Sequence, residues 1–342
     1  MAISDNTFSM STMYDALPNI RSSSEGISGT NIPPPGFFIP RAYAGTNTRL
    51  NPLFNLMITD NLTRAHFKEV ISSRLNQRQL LSMASLLTSD SDAFMEVVRN
   101  KIGSTRVQML LGMSDDVDAF FYTAILRRFL HIMTDKYASR VAIRAMSVFD
   151  QEKRYVMYEH TLYHALDLAC EQHGCIALNE VITDADDPCY RNLLLDLVAR
   201  NALFLSNDAS GNFVVQHVLQ LRNLRCTHNV AVSLRGHCVD LSFRRYGSYI
   251  VEKLLQERET MVVVVMEFLE CEGGRLMRLA RNEFGNFVVF KALRLTKDMN
   301  RADLFWDLAQ KLMPFLHLLR RSHGNNIANI LESCSITTRF SS

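Results

Sequence analysis

Pairs of side chains four residues apart recur along the chain, mostly polar, each inside an apolar run that follows a small residue. On a helix, residues i and i+4 are neighbours on one face, so a polar pair presents two hydrogen-bonding groups side by side. The seven pairs, called the ladder below, are Ser104/Gln108, Ser139/Ile143, Cys175/Asn179, Asn212/Gln216, Ser248/Glu252, Asn286/Phe290 and Asn325/Asn329. Paired donors and acceptors match a nucleobase edge, and we expect both members to point outward from the protein.

Planar side chains lie beside several ladder pairs. The residue after the first member sits about 100° further round a helix, next to the pair. The planar residues at this position are Arg140, Phe213, Tyr249 and Phe287. Rings and guanidinium planes stack on bases, so the ladder predicts a surface for one strand of nucleic acid.

Helix capping and core packing could also explain parts of this pattern. Asn or Ser near a helix start can be an N-cap, but a capping box needs Glu or Gln three residues later. The chain has Val107, Val215 and Val251 there, so capping does not explain the second polar residue. The aromatic rings could instead pack in the core between repeats, which leaves both explanations of the rings open.

Basic side chains flank the ladder. They are Lys136, Arg140, Arg144, Arg244, Arg245, Lys253, Lys291, Arg320 and Arg321. Phosphate neutralisation and simple solvation of a helix face both explain such residues, and the net charge of +2 favours neither.

The ladder belongs to a longer internal repeat. Its small residues are Gly103, Ala138, Gly174, Gly211, Gly247, Gly285 and Gly324, at separations of 35 to 39 residues. Such a unit holds two or three short helices, which must stack on their neighbours to bury their apolar faces. No alternating strands accompany them, so a doubly wound α/β fold is disfavoured. The sequence predicts an all-α solenoid whose concave face suits an extended ligand.

Composition shifts divide the chain into two parts. Residues 1–60, with the run Pro33–Gly36, are predicted to be a flexible tail, and residues 61–342 form the repeat domain. Within the domain, residues 61–100 carry no copy of the pattern and are expected to cap one end. Six repeats are then candidates for base reading, and a capping repeat over about residues 300–342 closes the other end.

Composition also favours a soluble intracellular protein. The 342 residues are 47% hydrophobic, and the 7 Cys, an odd number without regular spacing, argue against a disulfide scaffold. The N-terminus lacks the basic and apolar regions of a secretory signal. The apolar run Met261–Met266 is far shorter than the roughly 20 residues that span a bilayer. We therefore expect a reducing compartment and no membrane association.

One cluster raises the question of a metal site: His160, His164, Cys170, His173 and Cys175. Its order and spacing fit no common zinc finger, and Thr161 stands where the metalloprotease helix has Glu. The chain also lacks a recognisable Gly-rich phosphate loop, carboxylate pair or activated nucleophile. The sequence predicts neither an enzyme nor a metal or other cofactor.

At the ladder residues the sequence resembles the Pumilio (PUF) family of single-stranded RNA-binding proteins, over about Asn61 to Phe340 and closest to divergent plant members. The resemblance implies a crescent of helical repeats that each read one base, with protein and RNA antiparallel. In the family, Asn with Gln reads uracil, Ser with Glu reads guanine, and Ser or Cys with Gln reads adenine. The implied readers are Asn212 and Gln216 for uracil with Phe213 stacking, Ser248 and Glu252 for guanine with Tyr249 stacking, and Ser104 and Gln108 for adenine.

Three repeats depart from the family pattern: Asn286 with Phe290, Ser139 with Ile143, and Cys175 with Asn179. Phe290 and Ile143 cannot hydrogen-bond a base edge, although stacking is still implied for Phe287 and Arg140. The Asn325 repeat resembles the family's closing cap. The implied target is a weakly held uracil, then guanine, uracil, two loosely specified bases and adenine.

The resemblance implies post-transcriptional regulation. A monomer occupying mRNA 3′ untranslated regions would alter translation or decay, with protein corepressors on the convex face. It also implies a cytoplasmic location, with a nuclear fraction left open. Two alternatives remain: a protein-binding solenoid that has lost base reading, supported by Ile143 and Phe290, and a binder of structured RNA such as ribosomal precursors.

Overall fold

The computed structural model describes residues 50–60, 63–321 and 323–339, all within or next to the second of two compact units, residues 1–51 and 52–342. Most of the predicted tail lies outside the described residues. Its last part forms helix α1 (Leu50–Ile58), and α2 (Arg64–Glu69) follows, continued by a π-helical turn over Val70–Arg74.

A buried arginine fixes this N-terminal segment. Arg106 donates from Nη1 to the carbonyl oxygens of Leu56 (2.6 Å) and Thr59 (2.7 Å), and its guanidinium lies 5.3 Å from the centre of the Phe67 ring. The carbonyls at the end of a helix have no partner within it, so this contact satisfies groups that would otherwise be orphaned. Burial lowers the pKa of Arg106 from its usual value.

Repeats of three helices follow. Repeat 1 comprises α3 (Gln77–Thr88), α4 (Ser91–Arg99) and α5 (Lys101–Leu110); repeat 2 comprises α6 (Asp115–Arg127), α7 (Phe129–Met133) and α8 (Ser139–Val148). Repeat 3 comprises α9 (Gln151–Tyr163), α10 (Ala165–Cys170) and α11 (Gly174–Asp184); repeat 4 comprises α12 (Pro188–Arg200), α13 (Ala202–Asn207) and α14 (Gly211–Gln220).

The remaining repeats have the same order of helices. Repeat 5 comprises α15 (Leu224–Leu234), α16 (Cys238–Ser242) and α17 (Arg245–Leu254); repeat 6 comprises α18 (Arg258–Glu270), α19 (Gly273–Ala280) and α20 (Gly285–Asp298). Repeat 7 comprises α21 (Ala302–Leu312), a 3-10 turn (Met313–Phe315), α22 (Leu316–Leu319) and α23 (Asn325–Arg339). No strand occurs among the described residues, and the predicted all-helical solenoid is confirmed.

The helices of a repeat begin for different reasons. The first helices of repeats 2 to 5 begin at capping side chains, since Ser114, Asp150, Asp187 and Asn223 each accept a hydrogen bond from the first turn. Those of repeats 6 and 7 have no such bond. The third helices of repeats 2 to 6 have no side-chain N-cap hydrogen bond. Capping therefore does not account for the polar residues of the ladder.

The small residue of the repeat is required by close packing. A Cβ at Gly285 would lie 2.4 Å from Leu279 Cδ1, and one at Gly247 would lie 2.7 Å from the carbonyl oxygen of Leu241. Both distances are inside van der Waals contact, so a larger residue would push the third helix away from the second. The small residues that recur every 35 to 39 positions thus mark the points where the second and third helices of a repeat touch.

Like helices stack on like helices in successive repeats. Each third helix from α5 to α23 contacts the third helix of the next repeat, and the first helices form a parallel series of contacts. The apolar core lies between these two rows and includes the fully buried Val214, Val215, Ile250 and Val251. None of the helices described combines the length and apolar character needed to cross a membrane. All seven ladder pairs consequently belong to one row of adjacent helices.

Candidate nucleic-acid interface

The first ladder residue of repeats 1 to 6 is buried rather than outward-facing, whereas that of repeat 7, Asn325, is exposed. Ser104, Asn212, Ser248 and Asn286 are at most 4% exposed. Asn212 Nδ2 donates to the carbonyl oxygens of Asp208 and Ala209, both at 2.9 Å. The expectation that both ladder members point outward was therefore wrong for the first member, whose donors satisfy the turn before the third helix.

Asn286 repeats the geometry of Asn212 in repeat 6. Its Nδ2 donates to the carbonyl oxygens of Asn282 (2.8 Å) and Glu283 (3.0 Å). Because both protons of each amide are committed to the backbone, the oxygen Oδ1 is the accepting end of the side chain that faces the second ladder residue. These two asparagines are anchored acceptors of fixed orientation.

The second ladder residue is half-buried and lies over the first. Gln216 Nε2 donates to Asn212 Oδ1 (2.9 Å), and Gln108 Nε2 donates to Ser104 Oγ (3.1 Å). Ser104 Oγ in turn donates to the carbonyl oxygen of Tyr137 in the next repeat (2.7 Å). In repeats 1 and 4 the predicted pairs are thus joined, with a carboxamide at the outer end of each.

Large apolar side chains stand exposed beside the pairs of repeats 3 to 6, one in each repeat. Phe213 is 56% exposed, Tyr249 50% and Phe287 57%, and Ile176 of repeat 3 is 60% exposed. The alternative that the three rings fill the core is therefore wrong. Ile176 extends the same stripe, although the sequence analysis did not count it as a stacking residue because its side chain is not planar. Together they form a periodic apolar surface that the core does not use.

Repeats 2 and 3 present a different surface at the ladder. Ser139 is buried, Ile143 is half-buried and Arg140 is exposed. In repeat 3, burial raises the pKa of the Cys175 thiol, whose Sγ lies 3.3 Å from the carbonyl oxygen of Gln172, and Asn179 Oδ1 is buried without a protein hydrogen-bond partner. Neither repeat brings its two ladder residues together as repeat 4 does.

Comparison with known proteins shows which family has these repeats. A family model described as "Pumilio-family RNA binding repeat" matches residues 128–160, 164–198, 201–223 and 237–259. The chain is 68% identical to Pumilio homolog 18 of Arabidopsis thaliana over 334 residues, which are 97% of this chain and 98% of that protein. The chain belongs to the Pumilio family. The matched segments contain the third helices of repeats 2 to 5, whereas those of repeats 1 and 6 lie outside them.

Solved structures of Pumilio-family proteins share the fold. The structure of the Puf4 RNA-binding domain bound to an HO endonuclease RNA has a TM-score of 0.70 at 20% identity, covering 82% of this chain and 87% of that one. PUF-8 in complex with PBE-RNA has a TM-score of 0.64 at 15% identity and covers 83% of both chains. The helical solenoid found here is therefore shared with both of these domains.

Glu252 of repeat 5 pairs with a cation of the next repeat. Its Oε2 lies 3.4 Å from Lys291 Nζ, and the two side chains are 24% and 22% exposed. Lys291 was noted in the sequence only as a basic residue near the ladder. Lys291 follows the exposed Phe287 by four residues and shares its face of α20, so repeat 6 places a positive charge beside the ladder pair of repeat 5.

The ladder pair of repeat 7 is occupied by a side chain of the protein itself. Arg320 Nη1 donates to Asn325 Oδ1 and Asn329 Oδ1, both at 3.1 Å, and the guanidinium also pairs with Glu332. No expectation from the sequence included this contact. Because the amide oxygens of Asn325 and Asn329 are already engaged, repeat 7 stays a predicted capping repeat and not a base-reading one.

The cluster of histidines and cysteines has structural contacts. The rings of His160 and His164 lie 5.4 and 6.4 Å from that of Phe129, and burial lowers the pKa of His160. Burial also raises the pKa of Cys170 to about 11, which keeps the thiol protonated at neutral pH. Within residues 50–60, 63–321 and 323–339, His, Cys, Asp and Glu form no group of three or more suited to a metal ion.

Proposed function

We propose that this Pumilio-family protein binds single-stranded RNA sequence-specifically along the row of third helices. The observation that carries the proposal is the stripe of exposed rings beside anchored polar pairs in repeats 4 and 5. Exposed Phe213 and Tyr249 leave room between neighbouring repeats for a base, whose edge would meet Asn212 and Gln216. Stacking contributes about 1–3 kcal/mol per base, so several repeats together give tight binding.

The preferred core is U-G-U, read from repeat 6 to repeat 4. Asn286 and Phe287 hold the first uracil weakly, because Phe290 replaces the second polar reader. Glu252 accepts hydrogen bonds from the N1–H and N2–H groups of guanine, and this contact is charge-assisted. The ion pair between Glu252 and Lys291 across the repeat boundary stays in place. Asn212 and Gln216 read the second uracil. Ser104 and Gln108 read adenine three positions further on.

The biological role that fits this binding is regulation of mRNA after transcription. The Puf4 structure with which this chain shares its fold carries a 3′ UTR recognition sequence. We extend the same class of target to this protein, acting as a cytoplasmic monomer that alters translation or decay by occupancy and by recruiting corepressors to the row of first helices. Binding rather than catalysis is the mechanism, in keeping with the family.

A selection of randomised RNA on the full-length protein tests the proposal. We expect enrichment of U-G-U followed, after two variable positions, by adenine. The variant Ser248→Asn/Glu252→Gln should change the preference at the second position alone from guanine to uracil. The change in discrimination between the two bases should be about 1–3 kcal/mol of binding free energy, the contribution of one bidentate base contact. An unchanged second position would show that repeat 5 does not read that base.

A salt titration separates the proposal from its alternatives. Binding to U-G-U RNA should weaken as salt rises and should fail for the scrambled sequence. Equal binding of scrambled RNA, or efficient competition by duplex RNA, would favour a binder of structured RNA. Absence of RNA binding at low salt would favour a protein-binding solenoid, the alternative that the apolar residues Ile143 and Phe290 support.

A further inference from the structure

A cavity of about 440 Å³ lies between the third helices of repeats 2 and 3, where the ladder is incomplete. Its size falls within the roughly 300–1,000 Å³ typical of small-molecule sites. Its lining includes Arg140, Ile143 and Arg144 from α8, Glu180 and Asp184 from α11, and Tyr158 from α9. The cavity thus begins at the position where a second polar reader is missing and continues along both helices.

Opposite charges line this cavity without pairing to each other. Arg140 and Arg144 come from one side, and Glu180 and Asp184 come from the other. All four side chains are exposed, and among the described residues no ion pair within 4 Å involves any of them, although repeats 5 and 6 form one between Glu252 and Lys291. Arg144 Nη1 donates to Ser147 Oγ at 3.5 Å, which leaves the other donors of this guanidinium for a ligand.

The spacing of the carboxylates places them in line with the stacking stripe. Glu180 and Asp184 follow the exposed Ile176 at four-residue intervals, so all three lie on one face of α11. Arg144 follows Arg140 in the same way on α8. The two helices therefore present, beside the ladder pairs, acidic groups on one wall and basic groups on the other.

Tyr158 closes the deep end of the cavity and is not itself a reader. It is 3% exposed, and its hydroxyl donates to Asp186 Oδ1 at 3.2 Å. Burial raises the pKa of Tyr158 to about 12, so the hydroxyl stays protonated and its donor stays committed to Asp186. The groups free to recognise a ligand are the four charged side chains.

We propose that this cavity binds one nucleotide of the RNA strand, facing repeats 2 and 3, and selects a base that carries an amino group. The proposal rests on the RNA binding proposed above. Glu180 and Asp184 accept hydrogen bonds from the exocyclic amino group of adenine, cytosine or guanine, and Arg144 holds a phosphate. The specificity that Ile143 and Asn179 no longer provide is supplied by charged residues that directly follow them on the same helices and, with Asp184, by the next turn of α11.

The chemistry disfavours uracil at this site. A carboxylate is an acceptor only, and uracil offers it a single N–H between two carbonyl oxygens. Adenine, cytosine and guanine present an amino group with two donors, which matches a carboxylate better. One of the two positions after U-G-U should therefore be specified, although the ladder alone suggests that neither is.

Fluorescence anisotropy with short RNAs tests the site on the full-length protein. The probes are U-G-U-N-N-A with A-A, C-C or U-U at the two variable positions, plus a probe with the first three bases scrambled. Wild type should bind the A-A and C-C probes about tenfold more tightly than the U-U probe. The isosteric variant Glu180→Gln/Asp184→Asn should lose that preference and keep its discrimination against the scrambled probe.

Two control variants complete the design. Asp116→Asn/Glu159→Gln removes the same charge from exposed positions on first helices and should behave as wild type. Arg144→Ala should weaken binding of all three U-G-U probes alike and reduce the salt slope by about one phosphate contact.

Three results would overturn the inference while leaving U-G-U binding intact: equal wild-type affinities for A-A, C-C and U-U, a preference retained in the Glu180→Gln/Asp184→Asn variant, or a uniform gain for all probes in that variant. The last would mean that the carboxylates act only through general charge repulsion. Failure of wild type to distinguish U-G-U from the scrambled probe would overturn the proposed function itself, and this inference with it.

Discussion

Repeats 4 and 5 and repeats 2 and 3 are built on the same three helices, yet they expose different chemistry. Their buried positions are equivalent: Val214 and Val215 in repeat 4 correspond to Val141 and Ala142 in repeat 2, and all four are fully buried. Their exposed positions differ, with Phe213 in repeat 4 and Arg140 in repeat 2. Residues that hold the solenoid together and residues that contact a ligand are thus separable.

The largest expected effect concerns the stacking rings of repeats 4 and 5. The variant Phe213→Ala/Tyr249→Ala should lose about 2–6 kcal/mol of RNA-binding free energy, because each ring contributes roughly 1–3 kcal/mol by stacking. Its unfolding midpoint should be nearly unchanged, since both rings are at least 50% exposed. Electrophoretic mobility shifts and circular dichroism melting measure the two quantities.

A matched control for this variant lies on the same repeat. Phe204 is 55% exposed but belongs to the second helix of repeat 4, away from the row of third helices. Phe204→Ala should retain wild-type RNA affinity. A loss of affinity as large as that of the double variant would show that exposed rings act non-specifically and that the stripe is not the binding surface.

A smaller effect is expected from exchanging the second ladder residues. Gln216→Ala removes a carboxamide that contacts Asn212 and should cost about 1–3 kcal/mol in binding of RNA with uracil at the third position. Asn179→Ala removes a side chain whose Oδ1 is buried without a protein partner, so affinity and stability should stay within about 1 kcal/mol of wild type.

Competition between RNAs that differ only at the third base checks both variants. Gln216→Ala should lose its preference for uracil there, whereas Asn179→Ala should keep it. If the two substitutions weaken binding equally, repeats 3 and 4 contribute alike, and the comparison between complete and incomplete repeats fails.

The sequence predicted the repeat well because its signal is local. The small residues recur since the second and third helices touch there, as the 2.4 Å approach at Gly285 illustrates. The ladder pairs are also local, four residues apart on one helix. What the pattern missed was which member is buried: Asn212 and Ser248 are almost fully buried, because Asn212 donates to the turn before its helix and Ser248 donates to the carbonyl oxygen of Arg245 in the first turn of α17.

Contacts between distant residues left no signature in the sequence. Arg106 reaches a carbonyl oxygen 50 residues away, and Glu252 meets Lys291 across 39 residues. The cavity between repeats 2 and 3 likewise requires two helices to be placed side by side before Glu180 and Arg144 face each other. Such features follow from the stacking of repeats. The repeat period predicts that the repeats stack, but it does not predict which side chains meet across a boundary.

The smallest expected effect concerns the ion pair that joins repeats 5 and 6. Lys291→Met keeps the length of the side chain and removes its charge, and the pair is partly exposed, so the free energy of unfolding should fall by less than about 1 kcal/mol. Guanine should still be preferred at the second position, because Glu252 and not Lys291 accepts from the base. Urea unfolding and anisotropy with guanine or adenine at that position measure the two effects.

Lys253→Met serves as the control, since Lys253 occupies the position in repeat 5 equivalent to Lys291 in repeat 6. Loss of guanine preference in the Lys291 variant alone would mean that the ammonium orients the carboxylate, and repeat 5 would then read its base only together with repeat 6.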